Sequence, residues 1–194
     1  FIEGDYEIKY RLAEFTCFVR GRVILKLWYN LVFRGIFYLN NHIMRQEGWF
    51  TESYDGFGLT FKIDKKLLEK QSQFQKIEVY QSSTFGKMLL LDGKVMLTER
   101  DEFIYHEMMV HVALLSHSNP RRVLVIGGGD GGTIREVIKH PSIEEVSLVE
   151  IDGDVVDVCR QEFPSLSSAF DDKKVTIIAE DGIKYIQRFK DQFD

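Results

Sequence analysis

VLVIGGGDGG, Val123 to Gly132, is the stretch from which the fold of this chain is read. Four apolar residues run straight into a loop of glycines interrupted by one aspartate, Asp130. An apolar run bounded by glycine reads as a buried strand. "TIREVIKH" follows with helical spacing, so the loop joins a strand to a helix. The pattern then repeats. "EVSLVEID" and "KVTIIAEDG" read as strands, and "GDVVDVCRQEF" and "IKYIQRFKD" as helices. Apolar strands alternating with helices predict an α/β domain with a parallel sheet covered on both faces.

Upstream the pattern differs. "LTFKI", "KIEVYQS" and "KMLLLDGKVMLTE" read as antiparallel strands, and Asp92-Gly93 between apolar runs is a strong hairpin signal. "DEFIYHEMMVHVALLSH" then reads as a helix with Phe103, Met108/Met109, Val112 and Leu115 on its apolar face. Asp101 and Glu102 suit an acidic first turn. Residues 44–100 are therefore expected to form a small β-hairpin domain and residues 101–194 the first part of the α/β domain.

The chain has 194 residues, with 30 Asp+Glu against 25 Lys+Arg. The acidic balance argues mildly against nucleic acid and is compatible with a cationic ligand. Residues 1–43 stand apart as an expected extension, with six Lys+Arg and four Asp+Glu. Their basic, aromatic stretch Phe18–Leu39 is broken by Arg20, Arg22, Lys26 and Arg34, so a transmembrane span is not expected. The natural start is expected at Met44, and the C-terminal end reads as cut before a further strand. Cys17 and Cys159 lack metal-site spacing and fit a reducing, cytoplasmic setting.

The loop matches G-x-G-x-x-G, and Glu150 lies at the end of the next strand, where a ribose partner belongs. Dinucleotide binding is thus one reading. Asp130 argues against it. At ~4 Å and an effective dielectric of ~20, each carboxylate–phosphate pair costs about 4 kcal/mol. An anion there suits a cationic nucleoside, such as a sulfonium of the S-adenosylmethionine kind. Asp130 could also cap the helix that begins near Gly131, and the two roles can coexist. Asp181, at the end of the third strand, could accept from an adenine amino group or cap its own helix. His106 and His111 are five residues apart, about 140° round a helix, which does not make a zinc site.

The stretches "EGWFTE", "FGKMLLLDGKVMLTERDEFIYHEMMVHV", "NPRRVLVIGGGDGGTIREVIKHPSIEEVSLVEID" and "AEDGIKYI" together resemble the polyamine aminopropyltransferase family, from Glu47 onward. The resemblance implies a Rossmann-like, class I methyltransferase-type sheet preceded by a small antiparallel β domain. It implies aminopropyl transfer from decarboxylated S-adenosylmethionine, as co-substrate, to putrescine, with no cofactor and no metal. It assigns the donor to Gln75, His106, Asp130, Glu150, Asp181 and Gly182, and the diamine to Tyr105, His106 and Asp130. It places the proton-accepting aspartate after Asp194, so no catalytic residue is expected within the chain, and it implies a homodimer or homotetramer. A methyltransferase acting on putrescine-type amines and a non-catalytic nucleoside-binding homologue are the alternatives.

Overall fold

A computed structural model describes residues 48–189 and 192–194, and the backbone of 24–26. The readings of Phe18–Leu39 beyond those three residues, of Met44 and of Cys17 lie outside the described residues.

The first half is antiparallel. β2 (Trp49–Tyr54) and β3 (Phe57–Lys62) form a hairpin, and β4 (Lys65–Gln71), β5 (Lys76–Ser82), β6 (Gly86–Leu91) and β7 (Lys94–Thr98) form a sheet in sequence order. The Asp92-Gly93 turn is as expected. Both residues have positive φ, 49° and 72°, and Leu91 pairs with Lys94, as a two-residue primed turn requires. β2 and β4 are additional to the strands expected from the sequence pattern. β4 is the sheet's edge and carries Lys65, Lys66, Glu69 and Lys70, the charged composition that blunts an exposed edge.

α1 (Glu102–Ser116) leads into the parallel half. Here β8 (Arg122–Ile126), β9 (Glu145–Glu150) and β10 (Val175–Ala179) lie side by side in that order. α2 (Gly132–Val137), α3 (Gly153–Glu162) and α4 (Pro164–Ser167) occupy the connections, and α5 (Gly182–Arg188) follows β10. The resemblance puts a further strand, from beyond Asp194, beside β8. In the structure β1 (Ile24–Lys26) takes that edge, in parallel, with Ile24 opposite Leu124. Strand pairing satisfies backbone groups that an apolar edge would otherwise present unpaired.

Two of the buried clusters position the site. One joins Val110 and Leu114 of α1 to Val123, Val125, Ile134 and Leu148. The other packs Ile77, Val79 and Leu89 of the antiparallel sheet on Val155, Cys159 and Phe163. The antiparallel sheet is thereby seated over α3, close to the carboxyl ends of β8 and β9.

The inward face of α1 differs from the expected one. Phe103, Met108, Val112 and Leu115 are exposed, Met109 packs against the core as expected, and Glu102, His106, Val110 and Leu114 are buried. The helix is apolar nearly all round, so periodicity does not choose a face. The polar partners choose it, because Glu102 and His106 find theirs on α2 and the loop before it. Leu114→Ala should accordingly cost about 2–5 kcal/mol, whereas Leu115→Ala, at 76% exposure, should stay within roughly 0.5 kcal/mol. Urea midpoints of the two variants measure the contrast, and equal losses would contradict this orientation. Among the described residues no helix is long and apolar enough to cross a membrane.

Candidate active site

A cavity of about 650 Å³ opens between the antiparallel sheet and the carboxyl ends of β8, β9 and β10. In open parallel sheets this end faces the ligand. Leu89, Leu91, Val95 and Met96 wall it from the antiparallel side, and the glycine loop lies opposite. Gln75, Tyr105, His106, Asp130, Glu150, Asp181 and Gly182, all expected at the site, line this one cavity.

The glycine loop turns sharply because Gly127, Gly128 and Gly131 adopt φ of 78°, 98° and 90°, a region closed to most side chains. Gly132 is required for a different reason. A Cβ there would lie 2.2 Å from His106 Cε1, so the start of α2 packs directly on the imidazole. Asp130 Oδ1 accepts from the Gly132 amide at 2.7 Å and lies 3.2 Å from His106 Nε2. Asp130 therefore does hold the helix start, and its carboxylate also lines the cavity.

His106 is almost fully buried. Its Nδ1 is 2.6 Å from Glu102 Oε2, and Arg135 donates to both Glu102 oxygens, at 2.9 and 3.0 Å. Burial opposes the charged ring, yet Asp130 and Glu102 outweigh it and raise the His106 pKa above its ordinary value. Burial likewise opposes the Asp130 carboxylate, but the His106 contact and the Gly132 amide hold its pKa below the usual value.

Glu150 ends β9 and reaches back to the loop. Its Oε2 accepts from Gly129 N–H at 3.2 Å and its Oε1 from Asp152 N–H at 3.1 Å. Burial still raises its pKa above that of an ordinary glutamate. A Cβ at Gly129 would lie 3.1 Å from Glu150 Cγ, so glycine keeps loop and carboxylate close. Asp181 caps α5, accepting from Ile183 N–H at 2.8 Å and Lys184 N–H at 3.3 Å. The capping alternative thus holds for Asp181 as well, and its position at the cavity wall leaves the second role open to it. Tyr105 sets its ring edge-on to His106, with centroids 5.3 Å apart.

Three further residues support the site without having been expected there. Asp152, fully buried, accepts from Ser72 Oγ at 2.7 Å and Gln75 Nε2 at 2.9 Å, and so fixes Gln75 at the cavity wall. Its signal in the sequence is an acid two residues beyond Glu150, at the start of a helix. Glu102 reads locally as a first-turn acid, although its i,i+4 spacing from His106 is visible in the sequence. Arg135, 33 residues away from Glu102, has no local signal. His106 and His111 point to different neighbours, His111 to His140 at 2.9 Å. Among the described residues no group of three His, Cys, Asp or Glu could hold a metal ion.

Comparison with known proteins gives a consistent result. The family model for the spermine/spermidine synthase domain matches residues 102–194, and that for the spermidine synthase tetramerisation domain matches residues 48–99. The chain is 49% identical over 149 residues to a polyamine aminopropyltransferase of Bacillus mycoides, covering 76% of this chain and 54% of the relative. It is 45% identical over 157 residues to a spermidine synthase of Schizosaccharomyces pombe, covering 79% and 53%. A crystal structure of spermidine synthase from Thermotoga maritima superimposes with a TM-score of 0.75 at 42% identity, over 80% of this chain and 56% of that one. A spermidine synthase in complex with the transition-state analogue AdoDATO matches equally well. The chain spans about half the length of the curated relatives it matches. With the two family models lying in succession on the two halves that enclose the cavity, the chain belongs to the spermine/spermidine synthase family.

Proposed function

We propose that this cavity binds decarboxylated S-adenosylmethionine and serves aminopropyl transfer to putrescine, giving spermidine and methylthioadenosine. The observation that carries the reading is the Asp130 carboxylate set into the glycine loop and facing the cavity. Decarboxylation leaves the donor with an ammonium and a sulfonium and no carboxylate. Asp130 pairs with the ammonium. S-adenosylmethionine itself would bring its carboxylate toward Asp130 and be repelled.

The other residues take their places around the nucleoside. Glu150 accepts from the ribose hydroxyls, and those hydrogen bonds offset the burial that raises its pKa. Gln75, fixed by Asp152, reaches the nucleoside, and Asp181 and Gly182 hold the adenine. Tyr105 and His106 line the path of the diamine, where a ring face also attracts an ammonium. That a related spermidine synthase has been solved with the transition-state analogue AdoDATO supports the reading of the reaction as aminopropyl transfer.

In the reaction the lone pair of a putrescine nitrogen attacks the methylene carbon next to sulfur. The carbon–sulfur bond breaks, and its electron pair neutralises the sulfonium to a thioether. The nitrogen keeps one proton too many, which passes to a base; the resemblance assigns that base beyond Asp194. An alkyl ammonium has a pKa near ~10, so roughly one molecule in a thousand is free base at pH 7 without such help. The donor is a co-substrate. A homodimer or homotetramer is supported by the match of residues 48–99, and a cytoplasmic setting by the scarcity of cysteine, two in 194 residues.

Incubation of the protein as isolated from its source cells with decarboxylated S-adenosylmethionine and putrescine should yield spermidine and methylthioadenosine in equal amounts by mass spectrometry. N-methylputrescine formed from S-adenosylmethionine would favour the methyltransferase instead. Donor binding without either product would favour a non-catalytic homologue.

A further inference from the structure

The His106 ring is held between two carboxylates. Nδ1 lies 2.6 Å from Glu102 Oε2, and Nε2 lies 3.2 Å from Asp130 Oδ1. An ionised carboxylate only accepts, so each contact needs an N–H, and a neutral imidazole has one. Both acids also accept from other donors. Arg135 forks onto Glu102, and the Gly132 amide donates to Asp130. The arrangement is satisfied only with both ring nitrogens protonated.

We propose that Glu102, clamped by Arg135, is a positioning residue that holds His106 as the imidazolium counter-ion of Asp130, and that a ligand cation arriving at Asp130 takes over this role as the His106 proton leaves to solvent. This rests on the reading of Asp130 as partner of the ligand amine.

The groups facing the ring agree. Glu102 and Tyr105 approach it from α1, and Asp130 from the loop, while Gly132 packs uncharged against one side. From β9, Glu150 adds negative potential around Asp130. Cys159 of α3 is neutral, its thiol pKa pushed well up by burial. Net, His106 titrates above its ordinary value in the free protein despite burial.

The sign of the linkage follows. The free protein keeps the proton up to the raised pKa. A ligand cation beside the ring lowers that pKa in the complex. Between the two values binding expels a proton, so affinity rises with pH, by about tenfold per unit where one whole proton is released. Methylthioadenosine has neither ammonium nor sulfonium, and its affinity should not follow pH in this window.

Calorimetry on the wild-type protein at pH 7, in phosphate and in Tris, reads the protons released from the difference in heats. Decarboxylated S-adenosylmethionine should release up to roughly one proton per molecule bound, and methylthioadenosine none. Glu102→Gln removes the charge that holds the second ring proton, and its release should fall close to zero. Equal heats in both buffers for the wild type would overturn the proposal, whatever the variant's folding. So would undiminished release from a folded Glu102→Gln, since the proton would then come from elsewhere. In both cases the donor still binds and the reading of the pocket stands. Binding of neither nucleoside would overturn the donor reading, and this inference with it.

Discussion

Asp130→Asn should weaken binding of decarboxylated S-adenosylmethionine roughly 10- to 150-fold, the range expected from losing a charged hydrogen bond of about 1.5–3 kcal/mol. The affinity for methylthioadenosine should barely move. The structure makes this substitution a clean test. The asparagine oxygen can still accept from the Gly132 amide, so the hydrogen bond that holds the loop to α2 is retained. What disappears is the charge facing the cavity and the ionic partner of His106 Nε2. Calorimetric titration of both nucleosides into wild type and variant separates the roles. Equal weakening of the two would make Asp130 chiefly a helix-start residue, and no weakening of either would place the ammonium elsewhere.

Gly131→Ala should be strongly destabilising. Gly131 has φ of 90°, and a Cβ there would sit 2.8 Å from Leu166 O and 2.9 Å from Ser167 Cα. The left-handed conformation costs an alanine about 1–2 kcal/mol. Crowding against backbone that cannot swing aside adds about 1–3 kcal/mol. At roughly 2–4 °C per kcal/mol for a chain of this size, Tm should fall by about 4–20 °C. Gly93→Ala is the control. It has φ of 72° but open space around the added Cβ, so it keeps the strain and loses the clash. Scanning calorimetry of the pair should show the larger loss at Gly131. Equal losses would mean that the approach of the loop to the chain after α4 carries no energy.

Several elements are legible in the order of residues alone. The apolar strands β8 and β9 and the Asp92-Gly93 hairpin announce themselves by short-range pattern, which backbone periodicity and turn stereochemistry dictate. The residues expected to line the nucleoside site do share one cavity. Most of them sit at strand ends or in the loop after β8, and in a parallel sheet those points converge on one edge.

The remainder is long-range pairing, and local pattern does not report it. α1 is apolar on most of its circumference, so its orientation depends on Glu102 and His106 meeting Arg135 and Asp130. Gln75 owes its position to Asp152, 77 residues further along the chain. β1 reaches the edge of β8 across nearly a hundred residues. The amino-acid order alone thus settles the chemistry available to the site: an acid in a glycine loop, an acid after each of the next two strands, and a histidine on the preceding helix. Only the packed structure decides that the histidine stands between two carboxylates. That contact depends on α1 docking against α2 through Gly132, where the absence of a side chain lets the imidazole reach the loop.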